Sequence, residues 1–285
     1  MNATPYYSFN RKKFVEMLRE YSQQGLIFYP IKANDDELIV TTAIEKGCGF
    51  EVDSIEHIEF LVRRYNTNPE QIIYSFPIKK AEDIARANKL GIRKYAVDSL
   101  DEYLKVLLYV DKPQILIRLN ANLIVGGLTT AQDKWGFTVC GAKSLIKDIQ
   151  SKSKATIWGI SFYLCSEINS TDNFRKLLKA IEDNFSHNVF EVIDIGGGIS
   201  IDMLSELSSD LKSIKTKLKC KEIVLEPGRH LLDPCVTMQT SVLAIKTAGD
   251  GLNIAFIDAS IYNGLIDVII KNKRFEIELI QQEQV

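Results

Sequence analysis

Short apolar runs alternate with amphipathic stretches along most of the chain. This alternation is typical of buried parallel strands joined by crossover helices, because a parallel strand covered on both faces is apolar throughout. Eight strand-and-helix units are present, and eight units in about 200 residues predict a TIM (β/α)8 barrel, an α/β fold. The predicted strands are Leu26–Lys32, Gly49–Asp53, Gln71–Ser75, Lys94–Val97, Gln114–Leu119, Thr156–Phe162, Phe190–Ile195 and Glu222–Glu226.

The helical stretches carry signals of their own. Asp98 or Ser99 can cap a helix whose acidic first turn suits the positive helix start. Residues 173–184 place apolar side chains on one face, which predicts a helix packed on the barrel. That face carries Phe174, Leu177, Leu178 and Ile181. The polar stretch 120–135 follows the fifth strand and is a candidate for a segment that covers a substrate.

The pattern changes after Arg229. Two β-rich stretches, 236–247 and 252–257, flank Gly249-Asp250-Gly251, and two more, 266–271 and 274–280, flank Asn272-Lys273. These spacings predict antiparallel hairpins. We therefore predict a barrel domain over residues 1–233 and a partial β-domain over residues 234–285.

Composition excludes several function classes. The chain has 285 residues, 35 basic and 37 acidic, and a formal net charge of −2, so it has no cationic footprint for nucleic acid. No apolar run reaches the roughly 18 residues of a membrane span, and the polar N-terminus does not resemble a signal peptide. Five scattered cysteines predict reduced thiols in a cytoplasmic protein, and their spacing predicts no metal site.

Three strand ends carry candidate chemistry. Lys32 ends the first predicted strand, and a lysine there can be a covalent catalyst. Gly196, Gly197 and Gly198 follow the seventh strand and let backbone N–H groups approach a phosphate. Arg229, just after the eighth strand, can add a bidentate contact to the same phosphate.

Glu226 is the most informative of these residues. A carboxylate that ends a buried strand needs a partner, and a protonated pyridine nitrogen would satisfy it. Such a ring is an electron sink, which the loss of CO₂ from an amino acid requires. Together with Lys32, Glu226 therefore predicts pyridoxal 5′-phosphate as the cofactor and amino-acid decarboxylation as the reaction.

The motifs that contain these residues resemble those of fold-type III pyridoxal-phosphate decarboxylases. This group contains ornithine, diaminopimelate and carboxynorspermidine decarboxylases and shares the barrel of alanine racemase. The resemblance runs from Thr4 to about Ile270. The matched motifs are YPIKAN, GCGFEVDS, ILIRLN, DKWGF, FYLCSE, DIGGGIS, EPGRHLL and FIDASIYNG.

The resemblance implies a role for each matched residue. Lys32 is the Schiff-base lysine, and Glu51 is an acidic residue beside it. Glu226 faces the pyridine nitrogen, and Arg118 lies near the ring. The phosphate contacts are Ser166, Gly197, Gly198 and Arg229. Glu167 and Asp258 are implied substrate contacts.

Several positions depart from the family. Tyr163 stands where many relatives have a histidine stacked on the ring, and His57 stands where they have a glutamate. The Leu-Cys and acidic elements of FYLCSE are more similar to carboxynorspermidine decarboxylase than to ornithine decarboxylase. That enzyme decarboxylates a carboxylated aminopropyl group attached to a larger molecule. The family's late Cys-x-Ser-x-Asp motif, which reaches the neighbouring subunit's site, does not occur.

These departures leave several hypotheses about the function open. The leading hypothesis is decarboxylation of an L-α-amino acid, such as an aminocarboxypropyl group on a polyamine or a peptidyl nucleotide. The resemblance implies a homodimer. A further hypothesis is that the chain is a decarboxylase domain fused to another enzyme, as in microcin C-type antibiotic maturation. An amino-acid racemase and a non-catalytic pyridoxal-phosphate carrier are the alternatives.

Overall fold

A computed structural model describes residues 3–126, 134–165, 170–262, 264–270 and 272–280. The strands in chain order are β1 Tyr6–Phe9, β2 Leu26–Pro30, β3 Gly49–Val52, β4 Ile72–Tyr74, β5 Lys94–Val97, β6 Gln114–Leu119, β7 Thr156–Phe162, β8 Val192–Asp194, β9 Glu222–Leu225, β10 Val236–Gln239, β11 Val242–Thr247 and β12 Asn253–Ile257.

The helices connect these strands. They are α1 Arg11–Ser22, α2 Glu37–Glu45, α3 Ile55–Glu59, α4 Ala81–Lys89, α5 Leu100–Tyr109, α6 Ala121–Val125, α7 Val139–Lys152, α8 Asp172–Phe185, α9 Ile201–Glu206, α10 Ser208–Lys217, α11 Arg229–Leu232 and α12 Asp267–Ile270. A π-helical turn, Phe60–Arg64, continues α3. In the described part of the chain, no helix is both long enough and apolar enough to cross a membrane.

Strands β2 to β9 form a closed parallel barrel in chain order, which confirms the predicted fold. Closure is made by β9, where Val224 pairs with Leu26 of β2. One buried cluster fills the barrel with a side chain from each of seven strands. Its members are Phe28, Ile73, Ala96, Leu116, Trp158, Val192 and Val224. The barrel is therefore a packed core, and a site can lie only at its ends.

The helix predictions are also confirmed. Ser99 caps α5 by accepting a hydrogen bond from the backbone N–H of Glu102. In α8 the apolar face is buried as predicted, and it is extended by Phe185. Burial of this stripe holds α8 on the barrel, since amphipathic helices gain most of their stability from tertiary packing.

The contacts divide the chain into two units: Arg11–Cys235, which contains the barrel, and Met1–Asn10 with Val236–Val285. In the second unit, β1 pairs with β10 and β11 pairs with β12, both antiparallel. The hairpin across Gly249-Asp250-Gly251 is thus confirmed. The predicted domain boundary at residue 233 stays a prediction, and the N-terminal residues group with the second unit.

The last two predicted strands are wrong. Residues 267–270 form α12, and residues 272–280 have no regular secondary structure. Residues 265–270 form local backbone hydrogen bonds instead, such as the one from Ile270 N–H to Ile266 C=O. Backbone groups that find no neighbouring strand must be satisfied locally or by water, whatever the β-propensity of the side chains.

Candidate active site

A cavity of about 320 Å³ lies in the barrel unit. Its walls are residues at or just beyond the carboxyl ends of the barrel strands, including Lys32 after β2, Glu51 in β3, Arg118 in β6, Asp194 in β8 and Glu226 after β9. This is the end of a TIM barrel at which active sites are built. Seven charged residues line the cavity. Four are acidic, Glu51, Asp53, Asp194 and Glu226, and three are basic, Lys32, Arg118 and Arg229.

Lys32 lies on a 3₁₀ turn, Ile31–Ala33, directly after β2. Its Nζ donates a hydrogen bond to Oε1 of Glu51 at 2.9 Å and lies 3.8 Å from Oδ2 of Asp53. The Lys32 side chain is 53% exposed, so a ligand in the open cavity can reach it. Glu51 is 1% exposed and also accepts a hydrogen bond from Ser75 Oγ.

The charges around Lys32 favour its ammonium form. Partial desolvation by the cavity walls lowers the pKa of Lys32, but the carboxylates of Glu51, Glu226 and Asp53 outweigh that effect and raise the pKa to about 12. Oε2 of Glu51 is buried and accepts no hydrogen bond from the described residues. A buried carboxylate oxygen in this state is a ready acceptor for a bound group.

Glu226 follows β9, and its backbone N–H donates to the C=O of Gly196 at 2.9 Å. Its carboxyl group lies within hydrogen-bonding reach of that of Asp194. Burial, and then the charges of Asp194 and Glu51, raise the pKa of Glu226 well above its ordinary value. A cation placed against Glu226 would stabilise its carboxylate and lower this pKa, and the predicted pyridinium nitrogen would be such a cation.

The glycine loop follows β8 and lines the cavity. Gly196 and Gly198 have φ of +67° and +80°, the left-handed region that glycine adopts at no steric cost. A Cβ on Gly197 would lie 2.4 Å from the backbone oxygen of Glu226. Close packing therefore requires glycine here, and Arg229, the first residue of α11, lines the same cavity.

Two further predicted residues lie in the cavity wall. Arg118 is close enough to Asp194 for its charge to lower the pKa of that carboxyl group. Tyr163 follows β7, and its ring packs against the glycine loop, since a Cβ on Gly196 would lie 3.3 Å from Tyr163 Cδ2. The structure therefore brings together Lys32, Glu51, Arg118, Tyr163, Gly197, Gly198, Glu226 and Arg229.

The remaining predicted residues are elsewhere. Ser166 and Glu167 lie outside the described residues, as do residues 127–133 of the predicted covering stretch, 120–135. Asp258 belongs to the second unit, where its carboxylate accepts hydrogen bonds from Thr4 Oγ1 at 2.5 Å and from the backbone N–H of Ser241 at 2.9 Å. His57 on α3 bonds through Nδ1 to Asp53 Oδ1 at 3.1 Å.

Among the cavity residues that sequence reasoning missed are Asp53, Ser75, Phe76 and Asp194. Asp53 and Asp194 stand inside the motifs GCGFEVDS and DIGGGIS, directly at strand ends, and that position was the available signal. Phe76 makes an edge-to-face contact with Trp135, with ring centroids 5.8 Å apart. Nothing in the local sequence of either residue indicates that contact.

The cavity residues fit pyridoxal phosphate. Lys32 offers an amine, and Glu226 offers a carboxyl group for a ring nitrogen. Gly197, Gly198 and Arg229 line the same cavity and would offer backbone N–H groups and a positive charge to a phosphate. The steric requirement for glycine at Gly197 and the free acceptor at Glu51 Oε2 are independent signs of a site shaped for a ligand.

Comparisons with known proteins agree with the barrel fold and with the predicted cofactor. Residues 9–233 match the family described as pyridoxal-dependent decarboxylase, pyridoxal binding domain. Ornithine decarboxylase of Panagrellus redivivus is 27% identical over an alignment of 236 residues, and the match covers 76% of this chain and 53% of that protein. The chain thus spans about half the length of that curated relative.

Solved structures share the fold. Lysine decarboxylase from Selenomonas ruminantium superposes with a TM-score of 0.85 at 23% identity, covering 99% of this chain and 77% of that one. A structure of SrLDC in complex with PLP and cadaverine gives 0.81 at 22% identity, covering 95% and 72%.

Proposed function

Because the chain belongs to the pyridoxal-dependent decarboxylase family, whose pyridoxal binding domain matches residues 9–233, we propose that it releases the α-carboxyl group of an amino acid as CO₂. The cofactor of this family is pyridoxal 5′-phosphate. The observation that carries the proposal is that Lys32 and Glu226 line one cavity together with the glycine loop and Arg229.

In this proposal the bound cofactor withdraws the electron pair that the departing CO₂ leaves on the substrate α-carbon. The chain's own residues hold and orient it. Lys32 Nζ holds the cofactor, Glu226 pairs with the ring nitrogen, and Arg229 with the N–H groups of Gly197 and Gly198 holds the phosphate. The Tyr163 ring supplies an aromatic face.

The reaction breaks the bond between the α-carbon and the carboxyl group and takes up one proton at the α-carbon. We assign the return of that proton to Lys32 Nζ. Its neighbours support this assignment, since the carboxylates of Glu51, Glu226 and Asp53 together raise the pKa of Lys32 to about 12 and so keep a proton on that nitrogen.

For the substrate, we infer an α-amino acid group carried on a larger body, such as an aminocarboxypropyl group on a polyamine or a peptidyl nucleotide. The contact between Phe76 and Trp135 supports this inference, because Phe76 lines the cavity and the pair offers an aromatic wall beside it. A role in microcin C-type antibiotic maturation, with a fused enzyme domain, is the peptidyl-nucleotide form of this proposal.

We also propose a homodimer in the cytoplasm. Many apolar side chains of the second unit are exposed, among them Leu243 at 68%, Ile245 at 66% and Leu252 at 65%. An exposed apolar surface of this kind supports an interface with another chain. All five cysteines are free thiols, which supports a reducing compartment.

The test is CO₂ release from lysine, ornithine, arginine and aminocarboxypropyl compounds by the full chain with added pyridoxal phosphate. Lys32→Ala should abolish release, while Lys46→Ala, a matched change at an exposed lysine, should leave it unaltered. Racemisation of an amino acid without CO₂ release would replace the proposal with a racemase. Cofactor binding without either reaction would replace it with a carrier.

A further inference from the structure

Asp194 and Glu226 bring two carboxyl groups into contact in the cavity wall. Asp194 ends β8 and is 2% exposed, and Glu226 follows the neighbouring strand β9. Both residues line the same cavity and flank Gly196, whose N–H donates to Asp194 Oδ1 at 2.9 Å and whose C=O accepts the Glu226 N–H at 2.9 Å. This placement brings the two carboxyl groups within hydrogen-bonding reach of each other. Ionised carboxylates only accept hydrogen bonds, so this contact needs one proton between the two groups.

The buried surroundings favour keeping that proton. Burial raises the pKa of Asp194 above its ordinary value, although the hydrogen bonds with Gly196 N–H and Glu226 and the charge of Arg118 lower it. Burial, then Asp194 and Glu51, raise the pKa of Glu226, and Lys32 opposes this. Among the charged groups near the pair, Glu51 favours the protonated form, whereas Lys32 and Arg118 favour ionisation. Burial and the contact between the two carboxyl groups therefore favour one shared proton.

We propose that Asp194 is a positioning residue that holds one proton together with Glu226, and that Glu226 passes this proton to the ring nitrogen of the cofactor on binding. The O–H bond at Glu226 breaks, and an N–H bond forms on the ring. Glu226 is left as a carboxylate beside the new cation, and Asp194 as a carboxylate near Arg118. The inference rests on the proposed function only in requiring a cofactor with a basic ring nitrogen.

A purely structural role for Asp194 can be separated from this one. Oδ1 of Asp194 accepts the backbone N–H of Gly196 at 2.9 Å, which ties down the glycine loop. Asparagine keeps an oxygen for that hydrogen bond but cannot titrate. Asp194→Asn therefore preserves the loop contact and removes the second carboxyl group.

The first test is infrared spectroscopy of the full chain without cofactor, near pH 8. The wild type should show the C=O stretch of a protonated carboxyl group. Asp194→Asn and Glu226→Gln should each lose that band, whereas Asp53→Asn should keep it. A band that persists in Asp194→Asn, or that is absent from the wild type, would overturn the proposal. Circular dichroism confirms that each variant is folded.

The second test counts protons when pyridoxal phosphate binds, by titration calorimetry in two buffers of different ionisation enthalpy near pH 8. Because the variant begins without the shared proton, Asp194→Asn should take up about one more proton per site than the wild type. Equal counts would refute the transfer. If the wild type binds no cofactor, the proposed function fails, while the infrared result still decides whether the pair holds a proton.

Discussion

Nζ of Lys32 lies 2.9 Å from Oε1 of Glu51, and the pair joins the end of one barrel strand to the next strand in the barrel. The neighbouring carboxylates raise the pKa of Lys32 to about 12. A protonated lysine cannot attack an aldehyde. The ion pair that stabilises the ligand-free site therefore also slows attachment of the cofactor at neutral pH.

Glu51→Gln should speed cofactor attachment. Removing this charge lowers the pKa of Lys32, so the neutral amine is more abundant at pH 8, roughly tenfold for each unit by which the pKa falls. The rate at which the visible absorbance of the lysine-bound cofactor appears, measured against pH, should shift to lower pH. Asp53→Asn is the matched control and should shift the profile less, because Asp53 is 3.8 Å from Nζ. Equal shifts would contradict the account.

Gly197→Ala should disturb the cofactor site. Its Cβ would meet the backbone oxygen of Glu226 at 2.4 Å, and forcing the loop aside should cost about 1–3 kcal/mol. Urea unfolding and absorbance titration with pyridoxal phosphate should both show the loss. At Gly249 an added Cβ meets no atom within 4 Å, so Gly249→Ala should change neither measurement. If the two variants behave alike, the steric argument is wrong.

Arg229→Ala should weaken binding of pyridoxal phosphate more than binding of pyridoxal. Charge-assisted hydrogen bonds contribute about 1.5–3 kcal/mol, so the affinity for the phosphorylated cofactor should fall roughly 10- to 100-fold. Pyridoxal lacks the phosphate and serves as the control ligand. An equal loss for both ligands would show that Arg229 does not contact the phosphate.

The ion pair between Lys79 and Glu102 should stabilise the barrel beside the cavity. Lys79 Nζ is fully buried, 3.2 Å from Glu102 Oε1, and donates to the C=O of Ala96 at 2.7 Å. Glu102→Leu should cost about 3–5 kcal/mol in urea unfolding, because it leaves a buried ammonium group, and adding Lys79→Met should recover most of the loss. A double variant as unstable as the single one would contradict this.

The same lysine gives stability a pH dependence. Burial lowers the pKa of Lys79 to about 8, below its value in the unfolded chain. Between that pH and the ordinary lysine pKa the unfolded chain binds more protons, so this contribution to stability rises with pH. The difference in unfolding free energy between the wild type and Lys79→Met should therefore increase from pH 8 to pH 10.

The sequence predicted the barrel well because buried parallel strands leave continuous apolar runs. For the same reason, the strand-end residues Lys32, Arg118 and Glu226 could be expected at one end of the barrel. The strands predicted at 266–271 and 274–280 failed because pairing depends on a neighbour that local sequence does not specify.

The charge network was less predictable. That Asp194 contacts Glu226 depends on β8 and β9 being neighbours and on the side-chain directions at their ends. Both residues are visible in the sequence, but its motifs indicated Asp194 only as part of the glycine motif DIGGGIS. Asp258 was assigned by resemblance alone, and its observed partners, Thr4 and Ser241, are distant in sequence.

The most direct test of the account is to add pyridoxal phosphate to the full chain, reduce with borohydride and locate the modified peptide by mass spectrometry. The account predicts one cofactor fixed to Lys32, loss of the adduct in Lys32→Ala and an unchanged adduct in Lys46→Ala. An adduct on another lysine, or one that survives Lys32→Ala, would contradict the assignment of this cavity as the pyridoxal phosphate site.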